Sequence, residues 1–196
     1  MRMEFRGLLK ALEGGAASPA ATPGAGTAGS TADSPASASA GEPPAPAAPA
    51  LPRDYESITT PEALQRWMEL IDKAALTAFD TETTSLDYSI ARIVGMSFCV
   101  EAGKAAYLPL AHRYAGAPDQ LDLDATLALL KPWLESERHA KLGHHLKYDA
   151  HVLRNHGINL AGMRHDSMLE SFVLDSVATR HDMDSVAKHY LGIDTI

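Results

Sequence analysis

The pattern of apolar and polar residues changes near residue 53. Residues 1–13 carry apolar side chains at helical spacing, whereas residues 14–53 are almost entirely Ala, Pro, Gly, Ser and Thr. The first segment is too short to fold alone, and the second lacks large side chains whose burial could offset the entropy of ordering. We therefore expect residues 14–53 to be a disordered linker and residues 54–196 to form one domain.

The domain begins with the pattern of an amphipathic helix. Thr60 and Pro61 suit the N-cap and the first helical position. The apolar residues after them recur at i, i+3, i+4 and i+7, and they are Leu64, Trp67, Met68 and Ile71. This spacing predicts a helix that packs one face against a core.

Three strand patterns follow this helix. In chain order they are LTAFDTE at 76–82, IVGMSFCV at 93–100 and AAYLPLA at 105–111. Only the turn EAGK separates the second pattern from the third, and short turns between consecutive strands indicate an antiparallel meander. We therefore predict that the three strands are neighbours in one sheet.

Helical patterns and one short strand pattern alternate in the rest of the chain. In order they are LALLKPWL, the strand AKLGH, the segment from Lys147 to Gly157, DSMLESFVLDS and DMDSVAKHYL. Asp122 or Asp124 suits the N-cap of the first of these helices, and Gly192 follows the last turn of the final one. A meander followed by helix–strand alternation predicts an α/β fold with a mixed sheet.

Large aromatic residues on these helical patterns are expected in the core. Their spacing places them on the apolar faces of their helices, and they are Trp67, Trp133, Phe172 and Tyr190. Packing alone accounts for all four, so none of them requires a ligand.

Charge and cysteine content limit the functional classes. The formal net charge of −8 argues against broad electrostatic attraction to nucleic acid, although an enzyme that holds a few nucleotides through bound cations remains compatible with it. The single cysteine, Cys99, excludes an internal disulfide framework. No run of about 20 apolar residues and no signal-peptide pattern occurs in the sequence. We expect a cytoplasmic monomer that does not bind membranes.

Two carboxylates, Asp80 and Glu82, lie one residue apart at the end of the first strand pattern. Positions i and i+2 of a strand share a face, so a basic side chain, a divalent cation or a proton must offset the repulsion. Asp149, near the start of a later helix, is a third candidate. Carboxylates at strand ends suit Mg²⁺ or Mn²⁺, and two such ions can hydrolyse a phosphodiester. Alternatively, Asp80 merely ends a strand and Asp149 merely caps a helix.

The motif GHHLKYD at 143–149 is the second dense polar patch. A zinc site is disfavoured, because His144 and His145 lack an H-x-x-x-H or cysteine partner and neighbouring strand residues point to opposite faces. We expect one histidine to hydrogen-bond a substrate and the other to be exposed. Tyr148 is a further candidate for contact with a phosphate or an attacking water. The sequence has no G-x-S-x-G elbow and so does not support serine hydrolase chemistry.

Several motifs, taken together, resemble a known family. They are FDTETTSLD, ARIVGMSF, LGHHLKYD and DSMLESFVLDSVATRHDMDSVAKHYLG, in this order. They resemble the 3′-5′ exonuclease domain of bacterial DNA polymerase I, a family A polymerase, from about Tyr55 to the end of the chain. The stretch EFRGLLKAL within residues 1–13 resembles the tail of the 5′ nuclease domain, which precedes a variable linker in such polymerases.

The resemblance implies an RNase H-like fold and removal of the 3′-terminal nucleotide of DNA by two metal ions, Mg²⁺ or Mn²⁺, in replication and repair. Asp80 matches the family residue that bridges both metals, and Glu82 matches a ligand of one of them. Asp149 matches the carboxylate near the other metal. The implied partners are a single-stranded 3′ end of DNA and a polymerase domain in the same chain.

The resemblance also suggests residues that bind the substrate. Thr83 and Leu86 match positions that touch the terminal nucleotide. His144 and His145 stand where the family often has Gln-Asn, and both can still donate hydrogen bonds. This departure affects the details of substrate contact more than the expected activity.

By the same resemblance, the domain is expected to be incomplete within 196 residues. The family's third motif, a Tyr and an Asp with three residues between them, lies farther along the chain. Tyr190 and Asp194 have this form, but Gly192 falls between them at a predicted helix stop, so we expect the match to be a coincidence. Without the third motif, we expect these residues alone to be weakly active or inactive.

Two other functions fit parts of the sequence. A related domain that has lost its carboxylates would only support a polymerase, and the presence of Asp80, Glu82 and Asp149 argues against that alternative. A stand-alone exoribonuclease similar to RNase D would need neither the linker nor the EFRGLLKAL segment. The sequence therefore favours the polymerase-associated exonuclease.

Overall fold

A computed structural model describes residues 53–194. The strands are β1 (Asp54–Ser57), β2 (Thr77–Thr83), β3 (Ile93–Glu101), β4 (Lys104–Pro109), β5 (Lys141–Gly143) and β6 (Met163–Asp166). The helices are α1 (Pro61–Lys73), α2 (Leu123–Leu134), α3 (Leu146–Arg154), α4 (Ser167–Leu174) and α5 (Met183–Val186), and α5 continues into a π-helical turn (Ala187–Leu191). The helical segment expected in residues 1–13 and nearly all of the expected linker lie outside the described residues.

The six strands form one sheet in the order β1-β4-β3-β2-β5-β6. Strands β2, β3 and β4 are antiparallel neighbours, which confirms the predicted meander. The other neighbouring pairs are parallel: β1 with β4, β2 with β5, and β5 with β6. The sheet is therefore mixed and the fold is α/β, as predicted.

Side-chain caps determine where the helices begin. Thr60 accepts a hydrogen bond from the backbone N–H of Ala63 at 3.2 Å, so α1 starts at Pro61 as expected. Of the two candidate caps of α2, Asp122 is the one that accepts from Ala125, at 2.8 Å. The first turn of each helix thereby gains a partner for backbone N–H groups that the helix itself cannot satisfy.

One face of the sheet is closed by α1 and α2 around an aromatic cluster. The rings of Phe79 on β2, Phe98 on β3 and Trp133 on α2 lie with their centroids 5.8–6.3 Å apart. The indole N–H of Trp133 donates to the carbonyl of Ile71 on α1 at 3.1 Å, and Trp67 is also buried. The core predictions for Trp67 and Trp133 are therefore confirmed.

A fully buried lysine on β5 forms hydrogen bonds with backbone carbonyls of neighbouring segments. The Nζ of Lys141 donates to the carbonyls of Ser136, His139 and Ala161 at 3.3, 3.0 and 2.9 Å, and lies 4.4 Å from the ring centroid of Trp133. Burial lowers the pKa of this ammonium group to about 8. The three carbonyls and the aromatic ring offset part of the cost of burying the charge.

Two of the core predictions were wrong. Phe172 is 55% exposed and Tyr190 is 37% exposed. Phe172 belongs to α4, which packs chiefly against the edge strand β6 and the single turn of α5, so its apolar side has little to pack against among residues 53–194. None of the helices in this range is long and apolar enough to cross a membrane.

The sequence patterns also missed the two edge strands. The residues of β1 are DYES and those of β6 are MRHD, and almost all of them are exposed. Such strands lack both the apolar run of a buried strand and the alternation of a half-buried one. They form because the neighbouring strands β4 and β5 offer them backbone partners.

Candidate active site

The end of β2 places two carboxylates on one side of the sheet. Along this strand Thr77, Phe79 and Thr81 are buried, while Asp80 and Glu82 alternate with them and are partly exposed. The partners of the two acids on β3 are Ser97 and Gly95. The pairing shifts register between Glu82 and Thr83, so the carboxylates lie where the strand is about to leave the sheet.

Helix α3 brings a third carboxylate to the same strand. Asp149, which is 2% exposed, accepts hydrogen bonds at Oδ1 from the backbone N–H of Thr81 at 3.0 Å and from its hydroxyl at 2.5 Å. Thr81 lies between Asp80 and Glu82 in the chain, so the strand that carries the pair also holds the third acid.

The charges of the three carboxylates influence one another. Burial, then the charge of Asp149 and then that of Glu82 raise the pKa of Asp80 to about 7. Burial also raises the pKa of Asp149 to about 6, although its hydrogen bonds from Thr81 oppose this rise. The site therefore concentrates negative charge where water cannot fully solvate it, and a positive charge would stabilise it.

The donor atoms suit a hard cation. They are carboxylate oxygens, the ligand type that Mg²⁺ and Mn²⁺ prefer, and burial raises the pKa of both Asp80 and Asp149. Within residues 53–194, however, no three acidic, histidine or cysteine side chains are arranged closely enough to hold a metal ion. The residues fit a cation in chemistry and charge, with Asp80 and Glu82 as the pair that strand geometry places together.

The remaining predicted contacts lie along the start of the loop that follows β2. The hydroxyls of Thr83 and Tyr148 are 2.5 Å apart, and the Tyr148 hydroxyl donates to the carbonyl of Ser85. Leu86 follows in the loop with 87% of its surface exposed. The structure thus brings Thr83 and Tyr148 together beside the carboxylates and leaves Leu86 open to solvent.

The two histidines do not lie on a strand, contrary to the prediction. Strand β5 ends at Gly143, and His145 adopts a left-handed conformation with φ of 66° just before α3. His144 Nδ1 lies 3.0 Å from the hydroxyl of Ser167, and burial lowers the pKa of the His144 imidazole. His145 is exposed. The side chains of His144 and His145 therefore point in different directions because of a sharp turn in the backbone, and not because of strand alternation.

One aspartate, Asp166, caps two helices at once. Its carboxylate accepts from the backbone N–H groups of Met168 and Leu169 at the start of α4, at 3.1 and 3.3 Å. It also accepts from those of His145 and Leu146 at the start of α3, at 3.0 and 2.9 Å. The position of Asp166 at the head of the pattern DSMLESFVLDS suits the first cap, whereas no local pattern indicates the second, which fixes the end of the helix that carries Asp149.

Tyr107 on β4 reaches across β3 toward Glu82, because its ring lies over Gly95, the partner of Glu82 on β3. Burial, and then the charge of Glu82, raise the pKa of Tyr107, and its hydroxyl is hydrogen-bonded to Nε2 of His112. The ring crosses Gly95, because a Cβ at that position would lie 2.0 Å from the tyrosine oxygen. Sequence patterns missed this arrangement, since it depends on the register of three strands.

The tyrosine–aspartate match near the end of the described chain spans the predicted helix stop. Gly192 adopts a left-handed conformation with φ of 67° directly after the π-helical turn, at the predicted helix stop. Asp194 is exposed and pairs with Lys188 at 2.7 Å.

Solved structures with the same fold are nucleases and a polymerase. The POL domain of Pol1 from M. smegmatis, in complex with DNA primer-template and dNTP, has a TM-score of 0.59 at 18% identity and covers 72% of this chain and 23% of that one. RNase D from Escherichia coli has a TM-score of 0.54 at 19% identity, over 73% and 35% of the two chains. Brucella melitensis NrnC with bound Mg²⁺ has a TM-score of 0.51 at 16% identity, over 74% and 65%. The fold is that of the RNase H-like 3′-5′ exonucleases.

The sequence comparisons define the family. A family model described as 3′-5′ exonuclease matches residues 55–196. The DNA polymerase I of Pseudomonas aeruginosa is 53% identical over 145 residues, which cover 73% of this chain and 16% of that protein. The chain belongs to the 3′-5′ exonuclease domain family of DNA polymerase I. It spans about 16% of the length of this relative.

Proposed function

We propose that this chain removes nucleotides from the 3′ end of DNA by hydrolysing the terminal phosphodiester, as the proofreading part of a DNA polymerase I. The observation that carries the proposal is the set of interacting carboxylates on β2 and α3, where the pKa of Asp80 is raised to about 7. Within an exonuclease fold, such a charge concentration is suited to cations that bind phosphate.

Each residue of the site has a proposed task. Asp80, Glu82 and Asp149 are the ligands of Mg²⁺ or Mn²⁺, and two such ions, when bound, would activate a water and stabilise the leaving oxygen. Thr81 holds Asp149 against β2 through its N–H and hydroxyl. Tyr148 steadies the start of the loop by donating to the carbonyl of Ser85.

Substrate contacts are proposed for the residues around the carboxylates. Thr83 and the exposed Leu86 lie at the loop entrance, and in this proposal they contact the terminal nucleotide. His144 and His145 lie at the start of α3 and can donate hydrogen bonds to the same strand of DNA. A polymerase domain in the same protein would supply mispaired 3′ ends to this site.

The test is the substitution Asp80→Ala in the intact protein that contains this chain. Trimming of a 5′-labelled single-stranded DNA oligonucleotide in millimolar Mg²⁺ should be lost, while the unfolding midpoint should not fall. Asp119→Ala, which changes an exposed loop carboxylate, should trim at the wild-type rate. Unchanged trimming by Asp80→Ala would refute the assignment of Asp80 to the active site. Preferential trimming of an RNA oligonucleotide would indicate an exoribonuclease instead.

The 196 residues alone should trim weakly or not at all. Their carboxylates are not arranged as a complete metal site among the described residues. Robust trimming by these residues, lost on Asp194→Ala, would show that the terminal tyrosine–aspartate match is functional after all.

A further inference from the structure

The loop over residues 84–92 is held rigidly between β2 and the end of α3. The side-chain amide of Asn155 donates to the carbonyls of Tyr88 and Ala91 at 2.7 and 3.0 Å. Arg92 donates to the carbonyl of Asn155 at 2.7 Å, and the backbones of Thr84 and Arg92 are bonded at 2.9 Å. A loop with so many fixed backbone groups has little conformational entropy left to lose when a ligand binds.

This rigid loop presents apolar side chains to solvent. Leu86, Tyr88 and Ile90 are 87%, 50% and 67% exposed. The ring of Tyr88 stacks on the imidazole of His151, with centroids 4.6 Å apart and an angle of 27° between the planes. The imidazole of His151 therefore covers one face of the Tyr88 ring, and half of the surface of Tyr88 remains exposed.

Two basic side chains share a helix face with the histidine of this aromatic pair. Lys147, His151 and Arg154 recur at i, i+4 and i+7 along α3, so they share one face of the helix. Together with Arg164 of β6 they line a groove of about 520 Å³, and two acidic residues, Asp166 and Glu170, line the same groove. The three basic side chains of the groove outnumber its two acids, and in a chain with a formal net charge of −8 this small local excess of positive charge suits a phosphate backbone.

We propose that the Tyr88–His151 pair is a stacking platform for a nucleobase of single-stranded DNA, at a nucleotide that precedes the terminal one. The base stacks on the exposed face of Tyr88, the side chains of Leu86 and Ile90 cover its edges, and the phosphates follow the cationic face of α3. Every nucleobase has an aromatic face, so the platform binds without regard to sequence. The inference rests on the proposed function, since it places the 3′ end at the carboxylates.

The test measures binding of a fluorescein-labelled single-stranded oligonucleotide to the 196-residue chain by anisotropy, in buffer with EDTA so that no trimming occurs. Tyr88→Ala should weaken binding roughly tenfold, and Tyr88→Phe should bind within about twofold of wild type because it keeps the ring. Val173→Ala, which truncates an equally apolar residue that is 85% exposed on α4, is the matched control and should leave the affinity unchanged.

A second readout reports stacking directly. Oligonucleotides with 2-aminopurine at successive positions before the 3′ end should show quenching at one position in wild type and in Tyr88→Phe. That quenching should be absent in Tyr88→Ala, while its unfolding midpoint in urea remains that of wild type. If Tyr88→Ala binds as tightly as wild type and still quenches, the platform inference is wrong.

The outcome also separates this inference from the proposed function. If the intact protein trims DNA in an Asp80-dependent manner but Tyr88→Ala does not alter binding, only the platform is refuted. If wild type neither binds the oligonucleotide nor trims it, both proposals are wrong.

Discussion

Removing the shared cap should destabilise the protein more than removing an ordinary one. Asp166 accepts four backbone N–H groups, two from each of α3 and α4, whereas Asp122 caps α2 alone. Replacing an N-cap aspartate by alanine costs about 0.5–2 kcal/mol. Asp166→Ala removes two caps and should therefore lower the free energy of unfolding by about 1–4 kcal/mol, which for a domain of this size lowers Tm by roughly 10 °C at the middle of the range.

The comparison uses urea unfolding of the 196-residue chain, followed by circular dichroism. Asp166→Ala and Asp122→Ala are measured beside wild type, and the m-values must agree for the midpoints to be compared. Asp166→Asn is a third variant: it keeps a carbonyl acceptor but loses the charge and one acceptor oxygen. We expect it to fall between wild type and Asp166→Ala.

The reasoning fails if Asp166→Ala costs no more than Asp122→Ala. Equal costs would mean that water or a local shift replaces the second cap without loss. A further expectation is specific to α3. Because the shared cap fixes the end of the helix that carries Asp149, Asp166→Ala should also weaken Mn²⁺ binding, and Asp122→Ala should not.

Two other predictions concern buried charge. Lys141→Met keeps the size of the side chain but leaves three carbonyls without their donor, so it should lower the free energy of unfolding by about 2–4 kcal/mol. The control Lys73→Met, at an exposed lysine, should change the free energy of unfolding by less than about 0.5 kcal/mol. Equal effects of the two substitutions would contradict the role of the Lys141 ammonium group. Because the folded-state pKa of Asp80 is raised from 3.8 to about 7, the folded state holds a proton that the unfolded state releases, and this carboxyl makes stability fall as pH rises from about 4 to 7. In buffer free of divalent ions, Asp80→Asn should therefore raise the free energy of unfolding by roughly 1–3 kcal/mol at pH 8 and by less at pH 5. The control Asp119→Asn should leave the free energy of unfolding unchanged at both pH values. An equal gain for Asp80→Asn at pH 8 and pH 5 would refute the reasoning.

Local signals in the sequence predicted much of the fold. The caps at Thr60 and Asp122, the three meander strands and the helix stop at Gly192 all appear where short-range patterns place them. Each of these features depends on residues within one turn or one hairpin of each other. The pattern that placed Asp80 and Glu82 on one strand face is of the same kind, because it needs only the alternation of a strand.

The features that were missed depend on contacts between distant segments. The edge strands β1 and β6 have no apolar pattern and form through partners elsewhere in the chain. Asp166 reaches α3 across 20 residues to Leu146, and Tyr107 reaches the neighbourhood of Glu82 through the register of the sheet. Phe172 shows the opposite error, because an apolar helical face predicts burial only where another element covers it.

The arrangement of the three carboxylates itself argues against a purely structural role. The hydrogen bonds from Thr81 to Asp149 require only an acceptor oxygen, which an asparagine would supply without a charge. Asp80 likewise gains nothing from its charge in the metal-free protein, since burial and its acidic neighbours raise its pKa to about 7. A domain that only supported a polymerase would be more stable with neutral residues at both positions. The proposal that divalent cations bind beside these acids, as phosphodiester hydrolysis by two metal ions requires, gives the charges a purpose that a structural role does not.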